Sequence, residues 1–124
     1  MVTAAVLDPE SVERVGGRTL AELRASPVRL ARAIADAARL DGHEAVLVDL
    51  RAFELAADGL LAVLAPVAGL APELRVGVVL PPAFPEEDLR GLLDGGVRLV
   101  GVREPPSGVT ANLLEFFRCE TVPV

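Results

Sequence analysis

The sequence predicts an α/β fold in which one sheet, mostly parallel in its C-terminal part, carries helices packed on it. Its 124 residues are the usual length of a single domain. Three continuous apolar runs, at 45–50, 74–80 and 97–102, are typical of strands covered on both faces. A helical segment separates each pair of runs. Strand-helix-strand units of this length imply parallel strands joined by right-handed crossovers.

The first clear helix is predicted from Ser26 to about Leu40. Ser26 is a good N-cap, Pro27 suits the first helical position, and Gly42 is placed to end the helix. Apolar residues recur on one face, and charged residues, including Arg39, occupy the other. We interpret the charged face as solvated, with Asp36 placed for pairs at helical spacing. Binding of an acidic partner by its arginines is the alternative.

Two further helices follow in the C-terminal half. Pro85 begins one, and its first turn holds three acidic residues, which the helix dipole favours there. Gly95-Gly96 ends that helix. The last helix is predicted from Ser107 to Arg118, after a Pro-Pro pair. The tail at 121–124 is either a loose end or an edge strand.

The N-terminal segment, residues 1–25, is read less readily. Residues 4–7 resemble a strand, whereas residues 12–23 suit either a second strand broken by Gly16-Gly17 or a short helix. Two small strands forming a hairpin are the preferred prediction.

Composition excludes several classes of function. The net charge is −6, with 12 arginines and no lysine, so the basic footprint of a nucleic-acid binder is missing. No apolar run reaches the length that spans a bilayer, and the N-terminus lacks the pattern of a secretory signal, so a cytoplasmic location is expected. The single His43 and single Cys119 make neither a zinc site nor a disulfide, and no cofactor is predicted.

Residues 59–72 contain no charged or polar side chain. Asp58 before them is a natural N-cap, and Pro66 is expected to kink or end the helix that it begins. A helix that covers a sheet normally keeps a polar outer side. Either another helix or the tail covers this one, or its outer face is a contact surface for another protein or a second copy of the chain. A ligand pocket is a third alternative.

Asp49 ends the central strand, where open parallel sheets place functional groups. From there the order of elements resembles a response-regulator receiver, with Asp49 in the place of the phospho-acceptor and residues 103–105 near the position of the family's Lys-Pro. The acidic pair after the first strand and the phosphate-binding lysine of that family are absent. A degenerate receiver, of flavodoxin-like fold, is therefore the alternative fold.

Residues 17–117 resemble a STAS domain, the fold of sulfate-transporter cytoplasmic domains and anti-sigma factor antagonists. Residues 48–53, Val-Asp-Leu-Arg-Ala-Phe, resemble the family's strand end, and 56–60, Ala-Ala-Asp-Gly-Leu, resemble its Asp-Ser-Ser-Gly-Leu motif. Both serines are missing, so the family's phosphorylation switch is absent. Asp58 stands in place of the second serine, as a plain N-cap or as an anion that imitates a phosphoserine.

In that family, the helix that begins at this motif binds the partner. In this chain, the corresponding helix is the one without charged side chains over residues 59–72. The resemblance implies a non-catalytic regulatory module that binds a protein, such as a kinase-like anti-sigma factor, or forms a homodimer. The expected contact residues are Asp58, Gly59, Leu60, Leu61, Val63, Leu64 and Val67. The alternatives are a small-molecule or lipid-binding domain, with a pocket rimmed by 69–72 and 81–85, and a degenerate receiver-like signalling domain. Little beyond Asp49 and Cys119 points to an enzyme.

Overall fold

A computed structural model describes residues 4–124 of the chain. Five parallel strands form one curled sheet in the order β1-β2-β3-β4-β5, which confirms the α/β class and extends the parallel pairing to the whole sheet. The strands are β1 (Ala5–Val6), β2 (Ala45–Asp49), β3 (Arg75–Val79), β4 (Leu99–Val102) and β5 (Glu120–Pro123). The helices are α1 (Pro9–Gly16), α2 (Leu20–Arg24), α3 (Pro27–Leu40), α4 (Ala57–Leu70), α5 (Glu86–Asp94) and α6 (Gly108–Phe116).

The helices form one layer, in which each contacts the next along the chain. Val46, Val48 and Leu50 of the β2 region pack against this layer in the main core. A sequential order of parallel strands with crossovers of one hand places successive helices on the same face of the sheet. A receiver-type sheet has the order 2-1-3-4-5 with helices on both faces, so the observed order differs from the one that the receiver resemblance implies.

The opposite face of the sheet is closed by the strands themselves. Leu47, Val79 and Leu99 are buried there in a second, smaller core that strand residues build. Gly77 and Gly101 lie among them, and a Cβ at Gly77 would lie directly against the Leu99 carbonyl. The sheet curls so tightly that only a residue without a side chain fits at these two positions.

The predicted N-terminal hairpin is wrong: one short strand, β1, is followed by α1 and α2. Asp8 caps α1 by accepting a hydrogen bond from Glu10 N (3.0 Å), and Gly17 ends α1 with a φ of 66°. Thr19 then caps α2. Gly17 is therefore a helix C-cap, not a break within a strand. Residues 1–3, which belong to the same predicted segment, lie outside the described residues.

The later elements follow the prediction closely. Ser26 caps α3 through a hydrogen bond from Arg29 N (3.4 Å), and the helix ends at Leu40 as expected. The last helix ends at Phe116, two residues before the predicted end. The tail is an edge strand, β5, paired with β4.

Arg39 lies on the face that was predicted to be solvated, but its side chain has two hydrogen-bond partners within the protein. It donates to the Leu70 carbonyl at the end of α4 (2.8 Å) and to Glu73 Oε1 (2.9 Å). A guanidinium from α3 thereby satisfies a carbonyl that α4 itself leaves free, where the dipole also favours a positive charge.

Candidate functional site

The connection from β2 to α4 is a compact turn shaped by Asp49. The Asp49 side chain accepts a hydrogen bond from Arg51 N (3.0 Å), and its carbonyl accepts one from Phe53 N (3.0 Å). Phe53 is completely buried and anchors the turn in the core. The carboxylate that was compared with a phospho-acceptor therefore has a local structural partner, of the kind that aspartate commonly makes in turns.

Asp58 is not the N-cap of α4, contrary to the sequence prediction. The N-cap is Ala56, whose side chain makes no capping hydrogen bond, and Asp58 is the second helical residue. Its carboxylate accepts from the backbone N–H of Gly59 (2.9 Å) and is exposed. A carboxylate in the first turn is favoured by the helix dipole, to the extent of roughly 0.3–1 kcal/mol.

The predicted contact residues of α4 divide into two groups. Leu60, Val63 and Val67 are buried, with at most 2% of their surface exposed, so they are core residues and no partner reaches them. Helical periodicity turns them towards the sheet. Asp58, Gly59, Leu61 and Leu64 remain at least partly accessible.

The outer side of α4 consists of small residues. Ala62, Ala65, Ala68 and Gly69 are exposed, and no charged side chain follows Asp58 in the helix. Pro66 does not end α4, which continues to Leu70. Within residues 4–124, neither another helix nor the tail covers this side, so the helix presents a smooth apolar face instead of exposed leucines.

An open groove of about 800 Å³ begins at the first turn of α4. The groove lies at the carboxyl edge of the sheet. The turn after β2 and the start of α4 border one side, and the loop after β3 with the first turns of α5 borders the other. Its apolar lining comes from Leu50, Leu55, Leu61 and Phe84. Leu61 also packs against Gly95 at the end of α5, so this side chain closes one end of the groove.

The charge of the groove is negative. Four carboxylates line it, Glu54, Asp58, Glu87 and Asp88, against one guanidinium, Arg51. The N-termini of α4 and α5 each add roughly half a positive charge, which is too little to balance the carboxylates. Only Glu54 has an ion-pair partner among the described residues, Arg24 at 3.5 Å.

The two loops expected to rim one pocket lie at opposite edges of the sheet, so that prediction is wrong. Residues 69–72 lead into β3 at its amino end, whereas 81–85 follow its carboxyl end. The second loop does border a cavity of about 290 Å³, shared with the loop after β4. Pro81, Phe84, Val102 and Pro106 are among its apolar lining residues.

Two residues beside these cavities have left-handed backbone. Glu54 has a φ of 52° and Ala83 a φ of 56°, and each lies in a loop at the carboxyl edge of the sheet. Non-glycine residues in this region cost of order 1 kcal/mol each and are enriched at functional sites. A third such residue, Arg118 with a φ of 55°, lies after α6 and away from both cavities, so left-handed backbone is not confined to the loops of the groove.

Cys119 has the environment of a packed thiol. Burial raises its pKa to about 11, although the nearby guanidinium of Arg98 acts in the opposite direction. The thiolate, which is the nucleophile, is therefore scarce at neutral pH. His43 lies half buried in the turn after α3.

Comparison of the chain with protein-family models, curated proteins and solved structures finds no match in any of the three. Among residues 4–124, no helix combines the length and apolar character needed to cross a membrane. In the same range, no three or more His, Cys, Asp or Glu side chains form a group that could hold a metal ion.

Sequence reasoning identified the correct edge of the sheet but missed half of the groove. Glu87 and Asp88 are predicted only as solvated charges that the α5 dipole favours, Arg51 only as part of the strand end that resembles the STAS family, and Glu54 has no predicted role. A usable signal was present: in parallel strand-helix units, every loop that follows a strand lies at the same edge. Loops at that edge are neighbours only where their strands pair, and the pairing of β2 with β3 places the first turns of α4 and α5 side by side.

Proposed function

We propose that this protein is a non-catalytic regulatory module that binds another protein through the first turns and outer side of α4. The observation that carries the proposal is the exposed, charge-free side of α4, which continues directly into the groove at the start of the helix. Apolar surface of this kind is unfavourable in contact with water. A partner that covers it gains a binding free energy of roughly 25 cal/mol for each Å² of apolar surface removed from water.

The small residues of this side suit a protein partner. Ala62, Ala65 and Gly69 let the backbone of a second element approach closely, and the neighbouring groove receives a larger side chain. Interfaces of this kind draw most of their energy from a few anchors seated in pockets. The proposal accords with the STAS resemblance, in which the same helix meets the partner, such as a kinase-like anti-sigma factor.

A homodimer through the same surface is the less favoured arrangement. A two-fold interface places the same patch of both copies together, so the acidic rim of one groove would face that of the other. Like charges brought together across an interface oppose association.

Photo-crosslinking in lysate of the native cells tests the proposal. A benzophenone amino acid replaces Ala62 in one variant and, as a control, Ala21, an exposed alanine of α2. A discrete adduct with another protein, formed from position 62 and not from 21, is expected. An Ala65→Arg change should abolish it, since the long charged side chain projects from the same side of α4. Identical adducts from both positions, or none from either, contradict the proposal.

A second candidate is a domain that binds a small apolar molecule, favoured by the cavity of about 290 Å³ between the loops after β3 and β4. Its size lies near the lower limit for small-molecule sites. Native mass spectrometry of the purified protein should then show a retained ligand, which a Val102→Trp change in the lining displaces. A mass equal to that of the chain alone argues against this candidate.

A further inference from the structure

We infer that the groove at the start of α4 receives a basic amphipathic segment of the partner, with one apolar side chain on its floor and arginines or lysines along its rim. The inference rests on the proposed function and adds the chemistry of the partner. It follows from the arrangement of apolar and acidic residues in the groove.

The floor selects an apolar anchor. Leu50 is buried at the base of the groove, and Leu55, Leu61 and Phe84 are each partly exposed around it. These side chains already pack on the main core. A partner leucine or phenylalanine placed among them would lose most of its contact with water, which favours binding.

The rim selects positive charge. Asp58 comes from α4, whereas Glu87 and Asp88 come from α5, so carboxylates from two elements border the same groove. None of the three has an ion-pair partner within residues 4–124; the one ion pair of that turn of α5 joins Glu86 to Arg90. Asp58 already accepts from Gly59 N, but all three carboxylates lack a cationic partner that an arriving arginine or lysine could provide.

The overall charge of the chain acts in the same direction. A net charge of −6 attracts a basic partner from a distance and speeds its encounter, and salt screens this effect. An anionic ligand at the two helix N-termini is disfavoured, because the carboxylates of the groove outweigh the partial positive charges of the helix ends.

A designed peptide tests the inference on the full chain. The probe is an amphipathic peptide of leucine and lysine, about 14 residues long, and its matched control replaces every lysine by glutamate. Fluorescence anisotropy should give a Kd at least about ten-fold lower for the lysine peptide than for the glutamate peptide. Its affinity should fall as salt rises from about 0.1 to about 1 M, where the screening length drops from roughly 10 to 3 Å.

Single charge reversals on the rim of the groove test whether the lysine peptide binds there. Asp58→Lys and Asp88→Lys should each weaken binding of the lysine peptide by about ten-fold. The control is Asp36→Lys on the exposed side of α3, which changes the net charge equally but lies away from the groove; it should change the Kd less than about two-fold. Replacing the leucines of the peptide by serine should remove binding. Circular dichroism confirms that each variant is folded.

Three results would overturn the inference: equal Kd values for the two peptides, an equal loss in Asp36→Lys and Asp58→Lys, and undiminished binding of the serine peptide. An adduct from position 62 together with any of these would leave the protein-binding function intact and reject only the basic segment. Absence of the adduct together with groove-specific peptide binding would reject the function and leave the chemistry of the groove in place.

Discussion

Leu47 of β2 lies against Gly101 of β4, two strands away, on the face of the sheet opposite the helices. A Cβ at Gly101 would lie 2.7 Å from Leu47 Cδ1 and 2.9 Å from Val124 Cγ1. The contact exists because the sheet curls about β3, where Gly77 also lacks a side chain. Because of the curl, strand side chains bury this face without a second helix layer. The groove lies at the carboxyl edge of the same curled sheet.

Alanine at these glycines should destabilise the protein to different extents. Gly101→Ala meets the ends of flexible side chains and should lower the free energy of unfolding by about 1–3 kcal/mol. Gly77→Ala meets the Leu99 backbone and should cost more. Gly91→Ala, in the middle of α5 with open space around it, is the control and should stabilise by roughly 0.5–1 kcal/mol. Urea unfolding measures all three, and equal effects would contradict the curled packing.

Aspartate substitutions at neighbouring positions test the orientation of α4. Val63→Asp buries a carboxylate in the core and should destabilise by at least about 3 kcal/mol. Ala62→Asp adds the same charge on the exposed side and should change stability by less than about 0.5 kcal/mol. Thermal unfolding measures the loss of stability in each variant and shows which side of α4 is buried. A stable Val63→Asp protein would mean that α4 is rotated relative to the structure.

Cys119 should make stability fall in alkaline solution. Its ordinary pKa of 9.0 is raised to about 11 in the folded protein, chiefly by burial. The folded state then holds its proton over a range in which the unfolded state has lost it, and the stability this contributes is complete below pH 9.0 and lost as pH rises to about 11.

Cys119→Ser provides the comparison for this effect. The chain has no lysine or tyrosine, so Cys119 is the only side chain that ordinarily titrates between those two values. The difference in the free energy of unfolding between wild type and Cys119→Ser, from urea titrations at several pH values, should stay constant below about pH 9 and shrink above it. A difference that does not change with pH would contradict the packed thiol.

Elements with a strong local signal could be predicted from the sequence. Ser26-Pro27 and Gly42 delimit α3, and the apolar runs delimit β2, β3 and β4, because caps and continuous burial leave a pattern along the chain. In the N-terminal segment a short helix over residues 12–23 is the alternative to the preferred hairpin. The strand before it has only two residues, and the signals that mark two helices there are the capping residues Asp8 and Thr19.

The orientation of α4 and the membership of the groove could not be predicted in this way. A helix that is apolar on every side carries no periodicity that tells its buried face from its exposed one, which is how Val63 and Val67 came to be expected at the surface. The groove joins residues more than 25 positions apart in the sequence, such as Asp58 and Asp88. Only the strand order brings them together.

Hydrogen-deuterium exchange tests the central claim most directly. Exchange would be followed by mass spectrometry in the protein alone and in complex with the partner that crosslinks at position 62. Slower exchange confined to residues 50–69 and 81–91, which include the groove and the outer side of α4, is the predicted result. Protection centred instead on α6, where Phe116 is 80% exposed, with the groove unchanged, would contradict it.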